Sequence, residues 1–276
     1  MKMQILWGIH APGGKIMFQN LGLQLFTVRD YITDPEFADL SFKRLREMGY
    51  TEAQAAGNAF DAKLFGELLA KNGIRVVGNH CSLDEIVNKP EQTMETHRMW
   101  GTTSLGIGGI PHEARSGVTE LRKFIDLYNK TAEVYAKEGF KLSFHNHNYE
   151  FEPIDGRRTP MEIFAEEFDP NNITFVLDTC WVAAGGADVR EWRERLAGRI
   201  DILHLKDLVA TRVVNARSPE FNVTEIGSGT LYWDGIMETA EKIGVKHYVV
   251  EQDAAFHGTA FDSLKMSADF LAKYKK

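Results

Sequence analysis

Four stretches of this chain, REMGYTEAQAAG (residues 46–57), AKNGIRVVGNH (70–80), AKEGFKLSFHNH (136–147) and EKIGVKHYVVEQD (241–253), share one order of events. A charged segment of helical composition runs into a glycine, and a short β-rich run follows. Glycine takes the left-handed conformation that closes a helix, and a run of this kind suits a buried strand. Each stretch therefore reads as an α-to-β junction. Strands that alternate with helices imply a parallel sheet.

Other junctions extend the pattern. Asp34-Pro35-Glu36 opens a helix, with Asp as the cap and Pro at the first helical position. Ser116 is placed to cap a long helix over 117–137, whose Val118, Leu121, Phe124, Ile125, Tyr128, Ala132 and Tyr135 keep a helical period. Pro160 opens another helix, and Asp169-Pro170 follows its end. Strands are expected near 21–26, 51–56, 74–79, 102–107, 140–146, 173–178, 200–205 and 247–251. Helices are expected near 35–48, 60–71, 90–99, 117–137, 160–167, 187–197, 233–243 and 259–273. Eight β-then-α units in 276 residues predict an α/β fold, a closed (β/α)8 TIM barrel, as one domain over 17–276. Residues 1–16 read as an N-terminal extension, and 207–231 as a long irregular loop on the active face.

Composition narrows the class. Hydrophobic residues make up 43% and charged residues 26%, as in an ordinary soluble domain. The net charge of -7 argues against a nucleic-acid partner. Cys81 and Cys180 are too few for a disulfide scaffold and lack zinc-finger spacing, so both are expected as reduced, buried thiols. No apolar stretch approaches the roughly 20 residues that span a bilayer, and the N-terminus makes a poor signal peptide. A cytoplasmic protein with no membrane partner is the expectation.

In such barrels chemistry sits where the strands end, so the polar residues at those ends are the candidates. The fifth strand ends in His145-Asn146-His147-Asn148-Tyr149-Glu150, the sixth in Asp178, the seventh in His204 followed by Lys206, and the eighth in Glu251. The third ends in His80, and the first carries Gln24. Mixed carboxylates and imidazoles at one rim suit a divalent cation such as Mn, Co, Zn or Mg. Each residue also has a plainer reading: Asp178 as a helix cap, His204 as a hydrogen-bonded core histidine, Lys206 as the partner of Asp207, His80 as part of a turn with Asn79. On the fifth strand alternation puts His145 and His147 on one side, and either His145 or Glu150 could complete a ligand set with Asp178, His204 and Glu251. Glu150 is preferred, as the harder ligand. His145 then becomes a substrate contact or proton shuttle. Phe26, Trp181, Tyr232 and Trp233 lie near the rims and could wall a sugar pocket or simply pack. Gly106-x-Gly108-Gly109 lacks the full dinucleotide pattern, and Gly227-Ser228-Gly229 could cradle a phosphate or be a plain loop.

The ordered set QLFTVRD, HNHNYEF, LDTCWV, HLKD, EIGSGTLYW and VVEQD resembles the xylose-isomerase-like barrel superfamily, in particular its sugar phosphate isomerases/epimerases, over roughly residues 20–273. The resemblance implies a metal held by Asp178, His204 and Glu251, with a carboxylate from the fifth strand. This chain has His145 at that strand's end, and Glu150 is the candidate stand-in. Type IV apurinic endonucleases of the superfamily read LDTCH where this chain reads LDTCW, so Trp181 replaces a ligand of theirs.

The implied activity is a sugar isomerase or epimerase acting by proton abstraction beside a carbonyl. Glu251, Glu150, His147 and His145 are the candidates to bind metal or move the proton. Lys206 is expected to steady a substrate oxygen, and Gln24, His80, His145 and Trp181 to contact substrate. A lyase or dehydratase on a keto-sugar, and a sugar-binding barrel without turnover, are the alternatives. The expected partner is a small carbohydrate, with homo-oligomers common among such barrels.

Overall fold

The computed structural model describes residues 18–211, 220–254 and 256–275. The expected extension over 1–16 lies outside the described residues. Eight parallel strands close into a barrel, in the order β1-β10-β7-β6-β5-β4-β3-β2. They are β1 (Leu21–Gln24), β2 (Tyr50–Ala55), β3 (Arg75–Cys81), β4 (Ser104–Ile107), β5 (Lys141–His145), β6 (Ile173–Asp178), β7 (Ile200–Leu205) and, after a hairpin, β10 (His247–Val250). Pairing of Leu21 with Tyr248 and of Leu23 with Val250 makes the closure. The hairpin, β8 (Asp207–Thr211) against β9 (Glu220–Thr224), is antiparallel. It corrects the expected irregular loop over 207–231.

Around the barrel run α1 (Pro35–Glu47), α2 (Ala62–Lys71), α3 (Leu83–Asn88), α4 (Pro90–Met99), α5 (Val118–Lys137), α6 (Pro160–Glu167), α7 (Thr179–Ala184), α8 (Val189–Arg195), α9 (Trp233–Lys242) and α10 (Ala260–Leu271). Gly49, Gly73, Gly139 and Gly244, the four junction glycines, have φ of 98°, 69°, 78° and 76°, the left-handed caps their pattern predicts. Asp34 caps α1 by accepting from Glu36 N and Phe37 N at 3.0 and 3.1 Å. Ser116 does not cap α5. A 3-10 turn (His112–Arg115) precedes it, Ser116 Oγ donates back to Glu113 O at 2.7 Å, and Gly117 takes the cap position. The short helices α3 and α7 were not expected. No described helix is long and apolar enough to cross a membrane.

Alternation along the strands sorts the interior into tiers. At the N-terminal end Glu52 accepts from His247 Nδ1 at 2.9 Å and pairs with Arg75. Two residues further along, Val249 packs with Val77, Val176 and Ile202 as a small apolar cluster of its own. Two residues beyond Val249, Val176 and Ile202 come Glu251, Asp178 and His204. The outward-facing residues join the large core under the helices, where the rings of Phe144, Phe164 and Phe168 cluster with centroids 4.6–5.6 Å apart. The same alternation that fills the core with Phe and Leu thus delivers polar side chains to one end of the barrel.

The glycines in β4 and just after it are there for close approach, not for a dinucleotide. A Cβ at Gly106 would lie 1.7 Å from Ser143 O on β5, one at Gly108 3.2 Å from His80 Nδ1, and one at Gly109 2.7 Å from the Tyr149 hydroxyl. A methyl group at position 106 would meet the Ser143 backbone O and C at 1.7 and 2.5 Å besides its Oγ at 2.5 Å, so moving a side chain alone makes no room. Gly106→Ala should therefore cost roughly 3 kcal/mol of stability. Gly139→Ala, at a left-handed cap with open space around it, should cost about 1 kcal/mol. Urea denaturation of both variants checks this, and equal losses would show that the β4–β5 approach is not what Gly106 serves.

Candidate metal centre at the barrel mouth

β5, β6, β7 and the residue after β10 bring His145, Asp178, His204 and Glu251 together, all buried. One ligand atom from each lies within 4.8 Å of all the others. His145 Nε2 is 3.6 Å from Asp178 Oδ2 and 3.8 Å from Glu251 Oε2. His204 Nδ1 is 3.8 and 3.0 Å from the same two oxygens. Asp178 divides its carboxylate. Oδ1 accepts from Trp181 N at 2.9 Å and caps α7, the plainer role expected of it, while Oδ2 turns into the group.

The donor set fits a divalent cation. Asp178 Oδ2 and His145 Nε2 are buried and have no hydrogen-bond partner, a costly state for polar atoms unless something completes them. His145 Nδ1 lies 3.2 Å from Gly108 O. A carbonyl only accepts, so Nδ1 carries the proton and Nε2 presents its lone pair, as in metal-bound imidazoles. The fully buried Lys206 ammonium stands 3.7 Å from Asp178 Oδ2, 3.1 Å from Glu251 Oε2 and 2.5 Å from Asp253 Oδ2. Three carboxylates around one ammonium leave two negative charges, the complement of a divalent ion.

Electrostatics follow the burial. Desolvation pushes Asp178 up to about 6 although Lys206 pulls the other way. Burial would also raise Glu251, but Lys206 and His204 beside it hold it well below the usual carboxylate range. Burial disfavours charge on Lys206, yet Glu251, Asp178 and Asp253 together keep it protonated and raise it. Desolvation lowers His145 and His147 to about 3 and His80 well below its ordinary value.

Glu150, expected as the fourth ligand, lies outside this group, and His145 stands there instead. A 3-10 turn (Tyr149–Phe151) folds the Glu150 carboxylate under the loop, where Oε1 accepts from Ile110 N at 3.3 Å and Oε2 from His147 N at 2.7 Å. Burial raises its carboxyl to about 7. Glu150 thereby ties the loop after β4, which carries Gly108, to the loop after β5. His80 faces inward, with ring centroids 5.0 Å from His145 and 5.7 Å from His204, and Gln24 bonds to it at 3.3 Å. His147 meets His145 edge-on at 4.9 Å and stacks on Tyr149, whose hydroxyl is 3.0 Å from His147 Nδ1. Trp181 is half-buried over the Lys206 ammonium at 4.7 Å, its indole N–H without a partner.

Of the other rim aromatics, Trp233 is packed and donates to Asp207 at 2.6 Å, Tyr232 is 65% exposed, and Phe26 lies under the Arg29 guanidinium at 4.2 Å. Asp207 also answers the phosphate question. Its Oδ2 accepts from Gly227 N and Gly229 N at 2.9 and 3.2 Å, so an internal carboxylate occupies the cradle of Gly227-Ser228-Gly229. Cys81 and Cys180 are free thiols; burial raises both, Cys81 to about 12. Sequence reasoning missed Gln54 and Asp253. Gln54 is two residues from Glu52 on a buried strand, and that polar alternation was the available signal.

A closed (β/α)8 barrel with a buried imidazole–carboxylate group at the strand ends is the class that fold and site define. The family described as xylose isomerase-like TIM barrel matches residues 42–273, and the chain belongs to it. Among solved structures it is similar to a sugar phosphate isomerase/epimerase from Parabacteroides distasonis ATCC 8503, with 22% identity, 96% of each chain covered and a TM-score of 0.75. It is also similar to the probable 3-DHS dehydratase involved in petrobactin synthesis from Bacillus anthracis (14% identity, 92% of this chain and 99% of that one, TM-score 0.70). A D-allulose 3-epimerase from Methylomonas sp. shares the fold at 12% identity, over 94% of this chain and 98% of that one, with a TM-score of 0.67. No curated protein matches the chain.

The lowered histidines make a pH prediction. Between pH 7 and 5 an unfolded chain protonates His80, His145 and His147, whose ordinary value is near 6.5, while the folded chain keeps them neutral. Acid then favours unfolding. Glu150 and Asp178, raised to about 7 and about 6, and Asp253, raised as well, keep protons in the folded state and oppose this, but His97 is also lowered by burial, so four imidazoles stand against three carboxyls. The urea midpoint of metal-free protein should fall as pH drops from 7 to 5, and less steeply in His147→Asn. A midpoint that rises on acidification would contradict the burial of these imidazoles in neutral form.

Proposed function

We propose that the protein is a divalent-metal-dependent sugar isomerase or epimerase that moves a proton on the carbon next to a carbonyl. The observation that carries the reading is the convergence of His145 Nε2, Asp178 Oδ2, His204 Nδ1 and Glu251 Oε2 on one buried point, two of them without a hydrogen-bond partner. A bound cation of the Mn, Co, Zn or Mg kind would draw electron density from a sugar carbonyl and its neighbouring hydroxyl and so acidify the intervening C–H.

The chain's own groups then divide the work. Lys206, screened from water and held by three carboxylates, offers a fixed positive charge for an oxygen that gains negative charge. His147 is neutral at pH 7 and stands at the rim beside His145, where its imidazole can accept the carbon-bound proton. Glu251, kept ionised by Lys206, is the second base, after β10 and three strands round the barrel from β5. Return of the proton to the neighbouring carbon is isomerisation; delivery from the other face is epimerisation. Glu150 is a brace in this scheme rather than a base, because both its oxygens already accept backbone N–H groups. The unpartnered indole N–H of Trp181 suits a substrate hydroxyl, and its ring suits the apolar face of a sugar.

Metal content by mass spectrometry and solvent-deuterium exchange with keto-sugars test the reading together. Near-stoichiometric metal is expected in the wild type and is lost in Asp178→Asn and Glu251→Gln, with turnover down at least about 100-fold in both. Incorporation of deuterium at the carbon next to the carbonyl, without loss of a leaving group, is the expected product result. Release of water would make the protein a dehydratase, and protein that takes up no metal would overturn the mechanism.

A further inference from the structure

We infer that Gln24 and Gln54, a buried amide pair beneath the proposed centre, fix a proton on Nε2 of two histidines by opposite means, Gln24 by donating to His80 Nδ1 and Gln54 by accepting from His204 Nε2. His204 thereby presents a lone pair to the cation, and His80 presents an N–H to a substrate oxygen. The functional half of this inference rests on the metal reading above; the tautomers themselves do not.

The chain of logic starts at a backbone group whose polarity is fixed. Phe26 N–H can only donate, and it donates to Gln24 Oε1 at 3.2 Å. That orients the Gln24 amide, so its NH2 faces the other way. It gives one hydrogen to Gln54 Oε1 at 3.0 Å and one to His80 Nδ1 at 3.3 Å. His80 Nδ1 is thus an acceptor, and the neutral ring carries its proton on Nε2. That Nε2 is buried and has no partner, on a ring that faces His145 and His204. An N–H in that position is an unspent donor inside the chamber.

The other branch runs to His204. Gln54 Oε1, already identified as the carbonyl by the hydrogen it accepts, also meets His204 Nε2. A carbonyl oxygen can meet only the protonated nitrogen of a ring, so His204 carries a proton on Nε2, and Nδ1 is the nitrogen left to offer a lone pair to a cation. Nδ1 faces Glu251 Oε2 at 3.0 Å and Asp178 Oδ2 at 3.8 Å; without a metal it can donate a proton to Glu251, and a bound cation would take that proton's place. Both glutamines are fully buried, so no water competes for these bonds. Side-chain carbonyls that fix a ligand histidine typically matter 10–100-fold in metal affinity.

Two-bond 1H–15N correlation on metal-free full-length protein with 15N-labelled histidine, at pH 8, reads the tautomers directly. His80 is expected as the Nε2–H form, and His204 with a proton on Nε2, whether or not Nδ1 also donates to Glu251. Gln54→Met removes the acceptor at nearly constant volume. In it His204 should shift to the Nδ1–H form, and the Kd for Mn2+ by calorimetry should rise 10–100-fold. Gln54→Glu keeps an acceptor and should retain both the His204 tautomer and most of the affinity. Gln24→Glu replaces the donor and should move His80 to the Nδ1–H form. An unchanged His204 tautomer in Gln54→Met, or an equal loss of Mn2+ affinity in Gln54→Glu, would overturn the inference. Wild-type protein that takes up no Mn2+ would instead overturn the metal reading, with the tautomers of the metal-free protein still deciding the amide pair.

Discussion

Asp178 and Glu251 sit in the barrel mouth with almost no exposure to water, and an ionised carboxylate so placed costs several kcal/mol unless positive charge lies within reach. Much of the surrounding structure answers that cost. Lys206 is drawn fully inside and held between Asp178, Glu251 and Asp253. It stabilises Glu251 as an anion but leaves Asp178 raised, because burial and the neighbouring Glu251 charge outweigh its pull there. The residual negative charge and the two partnerless ligand atoms are the same deficit seen electrostatically and as hydrogen bonding.

The imidazoles belong to the same constraint. Desolvation keeps His80, His145 and His147 neutral, and neutral rings must choose where their single proton goes. Gly108 O makes that choice for His145, and the glycine run after β4 lets the carbonyl come so near. Glu150 braces this arrangement by tying Ile110 to His147, so a residue offered by the sequence as a ligand instead supports the loops beside His145, the proposed one.

The parts of this design that were legible in the sequence are those that depend on period. The junction glycines placed the helix ends. Alternation in ITFVLD, IDILH and HYVVE placed Asp178, His204 and Glu251 on the inner face just past apolar residues. The parts that were not legible depend on local turns. The 3-10 turn at Tyr149–Phe151 decides between Glu150 and His145, and nothing in HNHNYEF states which way that turn rotates. Ser116 looked like a cap, but the preceding 3-10 turn claimed it. The hairpin of β8 and β9 escaped because its two strands are separated by eight residues without a tight-turn signature. Asp207 looked like a partner for Lys206 and instead fills the Gly227–Gly229 loop, while Asp253 takes the ammonium.

The tier of Val77, Val176, Ile202 and Val249 explains why such a site can exist in a barrel open at both ends. Below it, Glu52, Arg75 and His247 form an ionic layer that borders the N-terminal mouth, where a cavity of about 220 Å³ is lined by Arg75, Asp201, Lys246 and His247. Above it lie the ligand atoms. Four branched aliphatic side chains separate the two polar layers, so water that reaches the lower mouth does not reach Asp178 or His204, both fully buried. With that seal the charges of Lys206 and the carboxylates act across a medium of low polarizability, where a few ångströms of geometry decide protonation. Polar residues in the middle tier would hydrate the chamber from beneath, relax the raised Asp178 toward its ordinary value and weaken the demand for a cation. The apolar layer is thus as much a part of the proposed centre as the atoms that face it.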